Sequence, residues 1–206
     1  MGKKIQAIIF DFDGVIHNTF DLVYGIRKKL NPKISEEEYR SYFDGNLFER
    51  IDRDKNEDKR GKFKEREFEA FKNLKLEKKI REILEKLNKK YDLYIISSNS
   101  ANNLNLYFEN NNFINVFKEI LAVEIHKSKT EKFKILFKKY KLKPDSCLFV
   151  TDTLGDILEA KKVRVKSIAC TFGFHDKERL KKGSPYKIIS NFEDIPKTIK
   201  DIESEK

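Results

Sequence analysis

The apolar positions of the chain change their spacing several times, and each change marks an element. Ile5 to Phe10 is a short apolar run without helical spacing, which reads as a buried strand. It stops at Asp11-Phe12-Asp13-Gly14. Aspartate is a poor strand residue and glycine permits a tight turn, so both carboxylates belong at the strand's carboxyl end or just past it. From about Phe20 to Leu76 there is no convincing strand pattern. Phe20, Leu22, Val23, Ile26 and Leu30 predict a helix ending before Asn31-Pro32. Ser35-Glu36-Glu37-Glu38 has the form of a capping box opening a second helix, with Tyr39, Tyr42 and Phe43 on its apolar side. Leu47, Phe48 and Ile51 suggest a third helix, Asp52 to Gly61 a highly charged connection, and Phe63, Phe68 and Phe71 a fourth helix. This block is too poor in apolar residues to stand alone, and reads as an insert packed over something else.

After Leu76 strands and helices alternate. Ile80, Ile83, Leu84 and Leu87 fall on one helical face. Asp92 to Ile96 is a strand ending in Ser97-Ser98-Asn99-Ser100, followed by helical sequence through Phe108 that the Asn110-Asn111-Asn112 cluster closes. Val116 to Val123 offers a strand, and Thr130 a cap for a helix burying Phe133, Leu136, Phe137 and Tyr140. Lys143-Pro144-Asp145 is a turn, and Cys147 to Thr151 a strand ending in Asp152. A short helix, a strand over Ser167 to Thr171, a loop over Phe172 to Pro185, a strand over Tyr186 to Ile189 and a helix burying Ile195, Ile199 and Ile202 complete the chain. Such alternation predicts an α/β fold, a Rossmann-like parallel sheet with helices on both faces.

Composition changes this picture little. Of the 206 residues 39% are hydrophobic, enough for a core, although the mean hydropathy is −0.66. Charged residues make up 38%, with 44 Lys and Arg against 34 acids, a net charge of +10. That surplus favours anionic partners in general. The lysines are spread along the chain and alternate with glutamates, as on solvated helix faces, so nucleic acid is not an expected partner. The two cysteines, Cys147 and Cys170, lie in apolar strand-like contexts and suit buried thiols in a reducing compartment. No apolar run is long enough to span a membrane, and Met1-Gly2-Lys3-Lys4 leads directly into a strand without a signal peptide. The expected location is the cytoplasm.

Three apolar strands end in polar residues of different kinds: Asp11 and Asp13, Ser98 and Asn99, and Asp152 with Asp156. Parallel neighbours would bring these ends to one rim, where open α/β sheets bind ligands. Asp11, Asp152 and Asp156 suit a hard divalent ion, and Mg²⁺ favours a few protein oxygens completed by water and phosphate. Ser98 adds a hydroxyl near a helix start whose N–H groups suit an anion. Lys127 or Lys129, just before the next helix, can supply a point charge. Metal, anion donors and a free carboxylate together specify phosphoryl transfer.

At this level the chain resembles the haloacid dehalogenase-like hydrolases, in particular their phosphoglycolate phosphatase-like branch. The family's first motif, Asp-x-Asp-Gly-Val/Thr, is matched by Asp11-Phe12-Asp13-Gly14-Val15. Its second, a Ser or Thr at a strand end often followed by Asn, is matched by Ser98-Asn99. Its fourth, an Asp followed four residues later by another, is matched by Asp152-Thr153-Leu154-Gly155-Asp156, with Thr151 where the family often has Gly. The third motif is a Lys, for which Lys129 is preferred over Lys127. The resemblance implies that Asp11 is the nucleophile and Asp13 the general acid and base. Asp11, the main chain of Asp13, and Asp152 would hold Mg²⁺, and Asp156 would orient a metal-bound water or hold Lys129. Ser98, Asn99 and Lys129 would bind phosphate. It also implies a catalytic core of residues 1–17 and 77–206 and a helical cap of residues 18–76 inserted after the first strand.

The acid at Asp13 favours phosphatase over dehalogenase chemistry, acting on a small phosphorylated metabolite such as phosphoglycolate or a sugar phosphate. A sugar phosphomutase, a binding or regulatory module, and an enzyme of nucleic-acid ends are the alternatives. His17 stands where the resemblance puts the entrance, as a substrate contact or a boundary residue. His126 and His175 lack metal-ligand spacing and read as surface or loop residues. Phe172-Gly173-Phe174 is either a site rim or a core aromatic pair around a turn.

Overall fold

A computed structural model of the chain describes residues 5–51 and 57–204. In chain order the elements are β1 (Ala7–Phe10), α1 (Phe20–Leu30), α2 (Glu36–Ser41), α3 (Leu47–Ile51), α4 (Glu57–Phe71), α5 (Lys78–Asn88), β2 (Asp92–Ile96) and α6 (Ala101–Asn110). They continue with β3 (Glu119–Leu121), α7 (Lys129–Tyr140), β4 (Cys147–Thr151), α8 (Leu154–Lys162), β5 (Lys166–Cys170), α9 (Lys177–Lys181), β6 (Lys187–Ile189) and α10 (Ile195–Ser204). The strands form one parallel sheet in the order β3-β2-β1-β4-β5-β6. The chain builds outward from β1 to β3, crosses back, and builds outward again from β4. The reversal lies between β1 and β4, the place where open sheets of this kind form a crevice.

Both faces of the sheet are covered, which is why its strands read as unbroken apolar runs. Ile8 and Phe10 of β1 point to one face, where they meet Leu84 of α5, Tyr107 and Phe108 of α6, and Ile195 and Ile199 of α10. Ala7 and Ile9 point to the other, against Phe133 and Leu136 of α7 and Ala160 of α8. All four β1 side chains are fully buried. Burying a large apolar side chain stabilises by about 1.5–3 kcal/mol, so this strand is a fixed platform for the carboxylates at its end.

The helices α1 to α4 lie in sequence between β1 and α5. Phe20, Val23, Ile34 and Tyr39 cluster around Phe174, which comes from the loop after β5. α4 packs along α1 and α6, and the ring of its last residue, Phe71, lies 5.8 Å from that of Phe12 at a tilt of 35°. Ser35 caps α2 by accepting the Glu38 N–H at 3.0 Å, as the capping-box pattern predicts. Among the described residues no strand occurs between Phe20 and Leu76, and no helix is long and apolar enough to cross a membrane.

Some expectations change. Residues 1–4 and 52–56 lie outside the described residues, so the leader reading of Met1 to Lys4 and part of the charged connection over Asp52 to Gly61 fall there. The rest of that connection, Glu57 to Gly61, is helical and opens α4. The strand expected over Val116 to Val123 is only Glu119–Leu121, because a single 3₁₀ turn occupies Ile114–Val116. α7 starts at Lys129, with Ser128 rather than Thr130 at the cap position. The Thr130 N–H goes instead to the Glu159 carboxylate of α8, and its hydroxyl to the Glu159 main-chain carbonyl, so a distant carboxylate serves this helix end. The loop after β5 contains a short helix, α9, capped by Asp176. His175 is a loop residue but is buried, not on the surface, whereas His126 is exposed.

Candidate active site

β1 lies between β2 and β4, so the carboxyl ends of these three strands form one rim. The Asp11 N–H still donates to the Val150 carbonyl at 2.9 Å, which extends the ladder by one residue and fixes that aspartate's backbone. Its Oδ1 accepts the Phe12 N–H at 2.7 Å, and its Oδ2 lies 2.6 Å from Lys129 Nζ. Lys129, only 2% exposed, also contacts Asp156 Oδ2 at 2.6 Å. Asp156 sits in the first turn of α8, capped by Thr153, and its Oδ2 accepts a second bond from the Thr151 hydroxyl at 2.7 Å. Of the two lysines considered, Lys129 is buried between carboxylates, whereas Lys127 is exposed on the cavity wall.

Asp152 is fully buried. Its Oδ2 accepts the Phe174 N–H at 2.6 Å, and its Oδ1 has no hydrogen-bond partner among the described residues. Gly14 closes over it with a φ of 74°; a Cβ there would stand 1.8 Å from Asp152 Oδ2. Both the left-handed backbone and the close approach therefore require glycine after Asp13. Asp13 has a different environment. Its Oδ1 accepts the Thr19 hydroxyl at 2.6 Å and its Oδ2 accepts Asn99 Nδ2 at 3.0 Å. Asn99 follows β2, and Ser98 beside it lines the same cavity.

The charges are unevenly matched. For Asp156, burial would raise the carboxyl's pKa, but Lys129 and the hydrogen bonds from Lys129 and Thr151 outweigh it and hold the group below its ordinary value. For Asp11 burial wins against Lys129 and pushes the group well up. Burial also pushes Asp152 up, to about 8, and raises Asp13 against the bonds from Thr19 and Asn99. Lys129 is held charged: Asp11 and Asp156 overcome the desolvation that burial imposes on it. Asp11 thus shares its one cation with Asp156, no ion pair reaches Asp152 among the described residues, and Asp152 Oδ1 lacks a donor. Among the described residues no cluster of three or more His, Cys, Asp or Glu forms a metal cage. Mg²⁺ needs no such cage, because it is commonly held by one or two carboxylates plus water and phosphate. The residues present fit that ion.

A cavity of about 650 Å³ opens above this rim, with Asp11, Asp13, Ser98 and Lys129 as its floor and residues of α1 to α4 as its roof. The family described as haloacid dehalogenase-like hydrolase matches residues 8–170, spanning the rim and the helices over it. The chain belongs to the haloacid dehalogenase-like hydrolases. It is 28% identical over 217 residues to a protein of Caldanaerobacter subterraneus subsp. tengcongensis named "Putative pyrophosphatase PpaX", covering 96% of each. A predicted phosphoglycolate phosphatase of Haemophilus somnus shares its fold at a TM-score of 0.73 with 22% identity, over 94% of this chain and 97% of the other. CbbY of Rhodobacter sphaeroides, solved with xylulose-(1,5)bisphosphate, does so at a TM-score of 0.75 with 17% identity, over 91% and 95%. At these identities the structural likeness speaks for the fold alone.

Several residues of this haloacid dehalogenase-like site are absent from the sequence-based set. Lys132, one helical turn after Lys129, is fully buried and donates to the carbonyls of Ser97 and Ala122, pinning the loop that carries Ser98. Its spacing from Lys129 was the available signal. Burial lowers its pKa to about 7, with Lys129 adding to the effect. His175 joins three segments. Its Nδ1 accepts the Leu154 N–H at 2.9 Å, which puts the proton on Nε2, and Nε2–H donates to the Arg40 carbonyl of α2 at 2.9 Å. The Gly155 N–H donates to the Phe43 carbonyl at 2.8 Å along the same seam. Glu67 of α4 accepts from Asn103 Nδ2 at 3.1 Å, and burial, then Asp13, push its carboxyl up to about 8. His17 donates to or accepts from the Tyr107 hydroxyl at 3.2 Å, on the core side. Phe174 serves both readings, as a buried aromatic and as cavity lining.

Proposed function

We propose that the chain is a Mg²⁺-dependent phosphatase that hydrolyses a small phosphorylated metabolite through an aspartyl-phosphate. The observation that carries this reading is the contrast between two carboxyls two residues apart. Asp11 meets a buried lysine at 2.6 Å, whereas Asp13 meets only neutral donors, Thr19 and Asn99. The first carboxyl has a cation beside it, to which Mg²⁺ would add in keeping it ionised for attack against the effect of burial; the second suits a group that holds and returns a proton.

In this reading an Asp11 oxygen attacks phosphorus while the bond from phosphorus to the leaving oxygen breaks. Asp13 gives its proton to that oxygen, and the alcohol departs. Asp13, now ionised, takes a proton from water, whose oxygen attacks the same phosphorus. The bond to Asp11 breaks, inorganic phosphate leaves, and Asp13 is protonated again. Ser98, the N–H groups around Asn99, and Lys129 would hold the phosphoryl oxygens. Asp11, Asp152 and the main-chain carbonyl of Asp13 would hold Mg²⁺, which supplies charge neutralisation of the phosphoryl group. Asp156 would keep Lys129 in place. The helices of residues 18–76 would act as the cap, excluding water from the first step. The thiols of Cys147 and Cys170 are free and buried, which supports a reducing cytoplasmic setting.

Inorganic pyrophosphate is a second reading of the substrate. The relative's name suggests it, and Arg27, Arg60 and Lys64 on the cavity wall favour a leaving group that is itself anionic. The test is phosphate release from alkyl phosphates, phosphoglycolate, sugar phosphates and pyrophosphate, with and without Mg²⁺, by the wild type and Asp11→Asn. Mg²⁺-dependent release that Asp11→Asn abolishes is expected. Undiminished turnover by that variant would remove Asp11 from the nucleophile's role.

A further inference from the structure

Asp13 sits at the end of a line of hydrogen bonds that begins on the helical insert. Glu67 Oε2 accepts from Asn103 Nδ2 at 3.1 Å. The same Nδ2 gives its other hydrogen to Asn99 Oδ1 at 2.8 Å. Asn99 Oδ1 also accepts the Ser100 N–H at 2.8 Å, and Asn99 Nδ2 donates to Asp13 Oδ2 at 3.0 Å. We propose that Glu67 is a positioning residue for Asp13, acting through Asn103 and Asn99 when α4 is packed on α6. The proposal rests on the phosphatase reading of the site.

The orientation of each amide is set by its neighbours. An Asn side chain offers one acceptor and one double donor. Asn99 must accept from Ser100 N–H, so its NH₂ faces Asp13; turned over, it would set oxygen against the carboxyl and nitrogen against the N–H. Asn103 must then present its own NH₂ to Asn99. The remaining hydrogen of that NH₂ needs an acceptor in a buried place, and Glu67 is that acceptor. Asp13, Asn99 and Asn103 all belong to the sheet's strand ends and the helix after β2. Of the four, Glu67 alone comes from the helices α1 to α4. If α4 lifts from α6, the line loses its outer anchor and the donor side of Asp13 loosens. Proton delivery would thereby be coupled to the closed, water-excluding arrangement.

The test compares kcat/KM for two esters that differ in their need for a proton. An alkyl phosphate releases a strongly basic alkoxide; p-nitrophenyl phosphate releases a phenolate that leaves unprotonated. Glu67→Leu, which removes the acceptor, is expected to lower kcat/KM for the alkyl ester by about tenfold or more, a part of the roughly 10²–10⁴-fold that a general acid contributes, while p-nitrophenyl phosphate stays within about threefold. Glu67→Gln, whose amide oxygen accepts the same bond, should restore the alkyl activity. Asn103→Leu should reproduce Glu67→Leu, and the double variant should be no worse than either. Equal losses on both esters, or independent losses in the double variant, would overturn the proposal. An active wild type with an indifferent Glu67→Leu overturns it alone. A wild type silent on every ester overturns the phosphatase reading and this proposal together.

Discussion

Gly155→Ala probes the seam between α8 and the helical insert with a single methyl group. Gly155 lies in the first turn of α8, directly before Asp156, and its N–H donates to the Phe43 carbonyl at 2.8 Å. A Cβ at this position would lie 2.2 Å from the Gly45 carbonyl oxygen, 2.7 Å from its carbon and 2.9 Å from the Phe43 oxygen. All three are backbone atoms, so no side chain can swing aside. Ordinary carbon–oxygen contacts begin at about 3.3 Å, so the 43–45 turn must retreat by about 1 Å. That retreat takes the Gly155–Phe43 bond beyond hydrogen-bonding distance and strains the neighbouring bond from His175 to Arg40. Overpacking of this kind costs about 1–3 kcal/mol, offset by up to about 1 kcal/mol of helix propensity. The net cost, about 0–2 kcal/mol, falls on the packing of the 43–45 turn against α8 and not on the sheet. A displacement of about 1 Å at a reacting site can cost about a hundredfold in rate. The expected result is therefore a kcat/KM lower by tenfold to a hundredfold, roughly, with a near-normal melting temperature. Gly25→Ala is the control, because nothing lies within 4 Å of a Cβ built there in α1. A Gly155→Ala enzyme with wild-type kcat/KM would show that the seam has no part in turnover.

Three further perturbations test the electrostatics. Lys129→Met leaves Asp11 and Asp156 buried without their shared cation; breaking such a pair destabilises by about 3–5 kcal/mol, measurable as a lower urea midpoint, and a midpoint equal to wild type would contradict the buried pairing. Mg²⁺ should raise the wild-type melting temperature by mass action, worth about 2.7 kcal/mol at a hundredfold excess over Kd, and Asp152→Asn should lose that rise; a variant that still responds would move the ion elsewhere. Lys132 gives a pH dependence whose sign is fixed. Its folded pKa of about 7 lies below the ordinary lysine value near 10.4, so between the two the unfolded state holds more protons and stability rises with pH. The urea midpoint of the wild type relative to Lys132→Met should therefore improve from about pH 7 to about pH 9, and a flat difference would refute the buried, largely neutral lysine.

What could be read from the sequence was what depends on neighbours along the chain. The bounds of β2 and β4, Asp92–Ile96 and Cys147–Thr151, come from apolar runs that polar residues interrupt at both ends. Because parallel strands align their ends, Asp11, Asn99 and Asp152 could be put on one rim from the strand pattern alone. Residues defined by partners far along the chain were not legible. Glu67 stands in a helix of alternating charges, where nothing local separates it from a solvated glutamate; only the packing of α4 on α6 brings it to Asn103. His175 has no motif around it, and its partners come from two distant segments, Asp152 and Leu154 at the start of α8 and Arg40 of α2. The start of α7 was misplaced for the same reason. Glu159 takes the Thr130 donors, and a local capping pattern cannot show a carboxylate arriving from α8.

The distribution of one lysine's charge ties these residues to the chemistry. Lys129 lies 2.6 Å from both Asp11 and Asp156, yet only Asp156 is held below its ordinary pKa. On the oxygen that meets Lys129, Asp156 also accepts from the Thr151 hydroxyl, and it sits at a helix start; Asp11's other bond, from the Phe12 N–H, falls on its opposite oxygen, and Asp11 follows a strand. In the proposed phosphatase reading the Lys129–Asp156 contact would be the permanent one and the contact with Asp11 the exchangeable one. In that reading an incoming phosphoryl oxygen would take the place of the Asp11 oxygen on Lys129 while Asp156 keeps the ammonium where it is. Asp11, released from its lysine, then needs another cation to remain ionised in a buried site, and it shares that need with Asp152. Asp11 and Asp152 are the carboxylates that would hold Mg²⁺ in the proposed reading, and its positive charge would answer both needs, which makes the Asp152→Asn and Lys129→Met variants separable. The first should abolish the response to Mg²⁺ while leaving the Lys129–Asp156 pair intact. The second should destabilise the fold whether or not Mg²⁺ is present.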